Sequence, residues 1–340
     1  MKSTLMRWGL GILCAIVLLR LPMWLDNQFY LNHIISILLL SVVVLGYWLI
    51  HRTGQVSFAQ GGFLMIGAYT AAALMKHLDF NFWLALPLAG LVPAVVALAI
   101  GIPTLRLRGA YFFLITFAFG EIVRHFYVNA WDPIFHGWLG FKNIPGPGTI
   151  EIPYLFTLVF DKTYAGNSSF YYLVLVFFIV TMLIMRQIDR TRVGKTIVGV
   201  RDAEDLSEAI GVPTVAYRLF AFVFAAFFTG IAGGIYASYF TFIEPANFMI
   251  HHSIEHLSFL IVGGPTSVWG PLLGTAVVVS LAEAGAGTGL GEYMISGLLM
   301  MLVVLFFPAG IVGIPRALKR FVYRRRGIIV EEEDAGATTA

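Results

Sequence analysis

The segment RQIDRTRVGKTIVGVRDAEDLSEAIGVPTVAYR, residues 186–218, is a long polar stretch that lies between two strongly apolar runs. The flanking runs, Phe170 to Met185 and Leu219 to Ile243, approach or exceed the about 20 residues that a helix needs to cross a bilayer core. The segment is rich in Lys and Arg, which favour the cytoplasmic side of a membrane. It is therefore predicted to be a cytoplasmic loop between two transmembrane helices.

The composition of the whole chain indicates its class. Of 340 residues, 59% are hydrophobic and 12% are charged, whereas about 25% of residues are charged in soluble globular proteins. We therefore predict an integral membrane protein whose solvent is the lipid bilayer. The single cysteine, Cys14, cannot form a disulfide within the chain, and the net charge of +3 does not indicate a nucleic-acid partner.

Seven apolar runs are predicted to be spanning helices because each approaches the length that a bilayer requires. They are Trp8 to Leu25, Ile34 to Ile50, Phe82 to Leu105, Ala110 to Val128, Phe170 to Met185, Leu219 to Ile243 and Tyr293 to Val312. Three further apolar pieces are shorter and have glycine at their flanks. These pieces are Phe63 to Met75, Ile254 to Val262 and Val268 to Leu281.

Positive charge predicts the orientation, because Lys and Arg in short loops stay cytoplasmic. The clusters predicted to be inside are Lys2 with Arg7, Arg52, Arg106 with Arg108, residues 186–218, and Arg316 to Arg326. The number of crossings between them requires Phe63 to Met75 to span. The predicted fold is an all-α polytopic membrane protein with two related halves and about ten transmembrane helices, or eight if the Ile254 to Leu281 region is re-entrant. Both termini are predicted to be cytoplasmic.

The predicted domain organisation is one transmembrane domain, residues 1–315, followed by a cytoplasmic tail, residues 316–340. The tail ends in the acidic, aromatic-free sequence EEEDAGATTA and is predicted to be partly disordered. The long external segment, residues 129–169, contains Pro145-Gly146-Pro147 and is predicted to be an ordered periplasmic loop.

Within residues 186–218, a short helix is predicted from about Ala203 to Ile210. Asp202 can cap it, Glu204 and Asp205 lie in the first turn, and Gly211 can end it. A small apolar face is formed by Leu206, Ala209 and Ile210. A helix of two turns is not stable alone in water, so it needs a surface to pack on. The alternative is an ordinary solvated loop.

Four blocks carry a resemblance to a known family. They are Gly54 to Ala72, Leu105 to Arg124, Gly194 to Val212 continued by Tyr217 to Ala237, and GGPTSVWGPLLGTA at Gly263 to Ala276. In this order they resemble the bacterial branched-chain amino acid ABC importer permeases, the LivM/LivH family. The resemblance covers Leu31 to Pro315.

The resemblance implies a permease subunit for branched-chain or related apolar amino acids in the bacterial inner membrane. It implies four kinds of partner: a second, homologous permease subunit, two cytoplasmic ATPase subunits, a periplasmic substrate-binding protein and the bilayer. The ATPase-coupling residues would be Asp202, Ala203, Glu204, Asp205, Leu206, Glu208, Ala209, Ile210 and Gly211. Since no G-x-x-x-x-G-K-S/T motif occurs, we expect no ATPase site and no cofactor in this chain, with ATP bound by the partner.

A translocation path is predicted where short, glycine-interrupted helices occupy matching places in two halves. The residues assigned to it are Ser57, Gln60, Gly61, Gly62, Glu121, Gly263, Gly264 and Gly270. Exposed backbone groups and Gln60 could contact a zwitterion without a fixed protein charge. The alternative is that these glycines serve close helix packing. Glu121 lies in an apolar run, and Arg124, three residues later, is its expected partner.

The sequence also allows other functions. A urea or short-chain amide ABC permease would differ only in substrate. An ion-coupled secondary transporter would need paired intramembrane charges, for which Glu121 and Glu283 are the candidates. His252-Ser-Ile-Glu255-His256 matches a zinc metallopeptidase pattern, but at a predicted external interface His251, His252 and Glu255 would form a polar rim.

Overall fold

A computed structural model describes residues 20, 22, 27–107, 109–129, 132–148, 150–152, 156–158, 168–285, 292–306 and 310–314. Nearly all of the predicted first span, Trp8 to Leu25, lies outside the described residues, as does the tail, 316–340. The described helices are α1 (Gln28–His51), α2 (Ala59–His77), α3 (Phe82–Thr104), α4 (Ala110–Asn129), α5 (Asp132–Phe135), α6 (Ser168–Arg190), α7 (Arg192–Asp202), α8 (Glu204–Ala209), α9 (Thr214–Phe240), α10 (Ile250–Gly263), α11 (Gly270–Gly285) and α12 (Glu292–Phe306).

The prediction of an all-α polytopic membrane protein is confirmed. Among the described residues, α1, α3, α4, α6 and α9 are long and apolar enough to cross a membrane. Side chains that recur along one face of α3 are exposed although they are large and apolar: Leu84, Leu91, Val95, Leu98 and Ile102. A continuous apolar stripe open to the surroundings is unfavourable in water, so this face is suited to lipid.

Helix α2 links the two ends of the bundle. At one end, in the connection between α1 and α2, Arg52 pairs with Asp189 at 2.5 Å. At the other end, the Lys76 Nζ donates to the Lys142 carbonyl at 2.5 Å. Helix α2 has 19 residues, about 28 Å at about 1.5 Å per residue. It is therefore longer than the predicted Phe63 to Met75 and runs from one end of the bundle to the other. That it crosses the membrane stays a prediction.

Glycine allows α9 to lie against α2 and α3 at the centre of the bundle. A Cβ on Gly67 of α2 would overlap the backbone of Gly230, and one on Gly233 would overlap the carbonyl of Leu64. In a membrane the hydrophobic effect does not drive helices together, so close backbone packing of this kind stabilises the bundle.

The two short late pieces are separate helices, α10 and α11, which lie against each other along a glycine seam. A Cβ on Gly263 would overlap the carbonyl of Gly270, and one on Gly274 would overlap the carbonyl of Phe259. Gly264 follows α10 with a φ of +103°, which side-chain-bearing residues rarely adopt. With 14 and 16 residues, both helices are shorter than the about 20 residues of a full span. The number of membrane crossings, ten or eight, therefore stays a prediction.

The segment predicted to be external, residues 129–169, contains short paired strands where it is described. Strand β1 (Phe141–Lys142) pairs with β4 (Phe242–Ile243), which directly follows α9, and β2 (Ile150–Ile152) pairs with β3 (Phe156–Leu158). Phe141 is fully buried. This segment therefore packs over the C-terminal end of α9, which is the end remote from α8.

Candidate functional site

The polar loop contains two helices rather than one, because α7 precedes the predicted short helix. The Thr191 hydroxyl caps α7 by accepting from the Gly194 N–H at 3.5 Å. Ile197 and Val200 are both buried, so α7 is amphipathic and packed against the bundle. The apolar spacing of these residues could have predicted α7 from sequence.

The prediction that Asp202 caps the short helix is wrong. Asp202 is the last residue of α7 and pairs with Arg201 at 2.8 Å. Ala203 occupies the N-cap position of α8 and provides no side-chain cap. Helix α7 continues through Asp202 because its apolar side packs on the bundle, so the carboxylate is not in position to accept from α8.

The predicted end of α8 is confirmed. Gly211 has a φ of +84°, its N–H donates to the Glu208 carbonyl at 2.9 Å, and the Val212 N–H donates to the Ser207 carbonyl at 2.9 Å. This pair of bonds is the Schellman arrangement, in which a left-handed residue closes a helix. Gly211 therefore sets the direction in which the chain leaves α8.

Two acidic side chains of α8 hold it against α9. Arg218 donates to both Glu204 carboxylate oxygens, at 2.7 and 2.6 Å, and the Arg218 side chain is only 7% exposed. The Thr214 hydroxyl donates to Glu208 at 2.8 Å. Two parallel bonds between a guanidinium and a carboxylate fix orientation as well as distance. The sequence did not predict this ion pair, because Glu204 and Arg218 are 14 residues apart and lie on different helices.

The opposite face of α8 is open. Leu206 is 64% exposed and Ile210 is 73% exposed, and Ala209 and Asp205 are also exposed. Large apolar side chains on a rigidly held helix outside the apolar bundle are typical of a protein interface. Of the nine residues assigned to coupling, Glu204 and Glu208 therefore contact α9, while Leu206, Ala209 and Ile210 form an exposed apolar surface with Asp205 beside it.

Several residues assigned to the path lie in packed surroundings, although their role in translocation stays a prediction. Gln60 is fully buried, and its Oε1 accepts from the Thr229 hydroxyl at 2.7 Å. The Ser57 hydroxyl accepts from the Ala59 N–H at 3.2 Å. A Cβ on Gly61 would overlap the Ser253 hydroxyl. These contacts, with the glycine seam of Gly263 and Gly270, favour the packing alternative.

Glu121 and Arg124 form the expected pair. The Arg124 Nε donates to the Glu121 carboxylate at 2.9 Å, and Nη2 lies 2.8 Å from the same oxygen. The Glu121 side chain is 28% exposed and the Arg124 side chain is 14% exposed. The pair is partly buried near the C-terminal end of α4.

We expect Glu121→Gln to reduce the yield of folded protein, since it leaves Arg124 without its partner in an apolar setting. The double exchange Glu121→Arg with Arg124→Glu should restore the yield only in part, because a cation is favoured over an anion close to a helix C-terminus. Yield is measured by size-exclusion chromatography of detergent-solubilised protein. Normal yields for both Glu121→Ala and Arg124→Ala would show that the pair contributes little.

A second candidate site is a cavity of about 430 Å³ among α1, α2, α9, α10 and α11. Glu255 and His256 line it, together with His252 and Glu244. The prediction of a simple polar rim is wrong for Glu255, whose side chain is only 11% exposed. The His252 Nδ1 lies 3.5 Å from the Glu255 carboxylate. Within the part of the chain that the structure describes, no three His, Cys, Asp or Glu side chains are grouped as a metal site would require.

Together these features define a polytopic all-α membrane protein with tightly packed helices and an exposed interaction helix in its polar loop. Residues 29–305 match the family described as branched-chain amino acid transport system / permease component. The chain belongs to this family.

The curated relatives agree with the family match. The chain is 29% identical over 298 residues to the high-affinity branched-chain amino acid transport system permease protein LivM of Salmonella typhimurium, covering 83% of this chain and 70% of the relative. The values are the same for LivM of Escherichia coli. Identity is 25% over 301 residues to a probable branched-chain amino acid transport permease protein LivH of Methanocaldococcus jannaschii, covering 84% and 92%. No solved structure matches the chain significantly.

Proposed function

We propose that this chain is a permease subunit of an ATP-binding-cassette importer that moves branched-chain or related apolar amino acids across the bacterial inner membrane. The observation that carries the proposal is the family match over residues 29–305. The relatives named for branched-chain amino acid transport support it, and they do not favour the urea, secondary-transporter or metalloenzyme alternatives.

The proposed complex contains a second, homologous permease subunit, two cytoplasmic ATPase subunits and a periplasmic substrate-binding protein. ATP is bound by the ATPase subunits, and this chain contributes no nucleotide site. Helix α8 is proposed to enter a groove on one ATPase with Leu206, Ala209 and Ile210. The exposure of these three side chains supports this role. The ion pair between Glu204 and Arg218 also supports it, because it holds α8 in place, and a preorganised apolar face loses little entropy on binding.

The test is uptake by the complete complex in proteoliposomes. We expect radiolabelled leucine to accumulate only when ATP and the substrate-binding protein are present, and urea not to accumulate. If the complex takes up urea but not leucine, the proposed substrate is wrong and the urea permease alternative is favoured. Leucine uptake driven by an ion gradient without ATP would contradict the proposed mechanism.

The proposed orientation places both termini in the cytoplasm, because Lys2, Arg7 and the cluster from Arg316 to Arg326 flank the outermost spans. An Ala337→Cys variant in a Cys14→Ser background should resist a membrane-impermeant thiol reagent in intact cells and react after lysis. Reaction in intact cells would contradict the predicted orientation.

A further inference from the structure

The cavity beside α10 has the size and lining of a small-molecule site. Its volume of about 430 Å³ falls in the range of about 300 to 1,000 Å³ that is usual for such pockets. Part of its lining is apolar, from Leu39, Leu40, Leu64, Phe259 and Val279. The lining also contains a small polar set, which includes Glu244, Asn247, His252, Glu255 and His256.

One member of the polar set, His256, is buried without a hydrogen bond at one of its ring nitrogens within the described part of the chain. His256 is 6% exposed, and its Nδ1 has no hydrogen-bond partner among the described residues. The Glu255 carboxylate is nearly buried and has the His252 Nδ1 as a neighbour 3.5 Å away. Buried polar atoms are rarely left without partners. The unpartnered nitrogen of His256, next to the nearly buried carboxylate of Glu255, is suited to a polar ligand.

The cavity is placed away from α8. Helix α9 begins at Thr214, beside α8, and its last residue, Phe240, lines the cavity. Its 27 residues span about 40 Å. The cavity therefore lies toward the end of the bundle that the external segment covers, where strand β4 follows α9.

We propose that this cavity binds a zwitterionic amino acid with an apolar side chain inside the membrane domain. The proposal rests on the proposed function and adds a site to it. The carboxylates of Glu255 and Glu244 receive the ammonium group. The Asn247 amide and His256, in the tautomer that carries its proton on Nδ1, donate to the ligand carboxylate. The apolar wall formed by Leu39, Leu40, Leu64, Phe259 and Val279 receives the side chain.

The test measures ligand protection of a cysteine placed in the wall. Val279→Cys is introduced in a Cys14→Ser background, in the complete complex, and labelled with a small thiol reagent. Leucine at ten times its dissociation constant should slow labelling about tenfold, because only the unoccupied fraction reacts. Glu283→Cys, on the exposed part of α11, is the matched control and should label at the same rate with and without leucine.

A second variant separates binding from a general structural effect. Glu255→Gln should remove the protection of Val279→Cys and raise the KM for leucine, whereas the exposed Glu283→Gln should leave both unchanged. If Val279→Cys prevents assembly, Leu40→Cys reports from another part of the same wall.

The outcomes distinguish the two proposals. If the complex transports leucine but leucine protects neither cysteine, the cavity is not the binding site and the proposed function stands. If protection persists in Glu255→Gln with an unchanged KM, the role of this carboxylate is wrong. If the unmodified complex transports no apolar amino acid, both proposals fail.

Discussion

Ala209→Arg is expected to lower ATP-driven leucine uptake by about 30-fold or more, since disruption of a hot spot at the centre of an interface costs about 2 kcal/mol or more. Ala209 is exposed, so the guanidinium meets water in the free chain and folding is unaffected. In the docked state it would separate Leu206 and Ile210 from the groove and bring an unpaired charge into an apolar contact. Uptake and substrate-stimulated ATP hydrolysis are measured in proteoliposomes.

Gly211→Val should lower uptake by about 5- to 30-fold through the backbone. Its φ of +84° costs a β-branched residue about 1 to 2 kcal/mol. A Cβ there would meet nothing within 4 Å, so strain rather than a clash is the cause. Gly199→Val is the matched control, because a Cβ at Gly199 also meets nothing within 4 Å and Gly199 has no positive φ.

Two conservative variants complete this test. Gly211→Asn should keep most of the activity, because asparagine tolerates the left-handed region, and Ala209→Ser should keep the small size that the interface needs. Normal transport by Ala209→Arg with all partners present would show that α8 is a solvated segment, and the proposed coupling site would be wrong.

Arg218→Met is expected to produce the second large loss of transport, because it releases α8 from α9. The pair is more buried than a surface ion pair, which contributes up to about 1 kcal/mol. Breaking a fully buried pair costs about 3 to 5 kcal/mol, and Glu204, at 18% exposed, can partly return to water. We expect a cost between these limits, and with it a reduction of transport of about tenfold or more.

The geometry of the pair provides the controls. Arg218→Lys should restore little, because lysine cannot form two parallel bonds to a carboxylate. Glu204→Met combined with Arg218→Met should recover part of the loss, since no buried charge remains unpaired. Arg201→Met breaks the more exposed neighbouring pair and should change uptake little. Equal effects of Arg201→Met and Arg218→Met would contradict a specific role for the Glu204 contact.

The sequence by itself determined the features that depend on spacing along the chain. Apolar length predicted helices such as α1 and α9, and a glycine after a short polar helix predicted that the helix ends at Gly211. The pairing of Glu121 with Arg124 followed from an interval of three residues on one helix. These predictions succeeded because the groups involved are brought together by the helix itself, whatever the rest of the protein does.

The tertiary structure alone decided the features that depend on which faces meet. Glu204 in a first helical turn suits the helix dipole equally well whether it faces water or a partner, and only the packing of α8 on α9 brings it to Arg218. Asp202 was assigned to the wrong helix because burial of Ile197 and Val200 extends α7 past the local capping signal. The cavity draws its lining from residues as distant as Ser36 and Val279, and no local pattern encodes such a meeting, because it exists only when five helices enclose the same space.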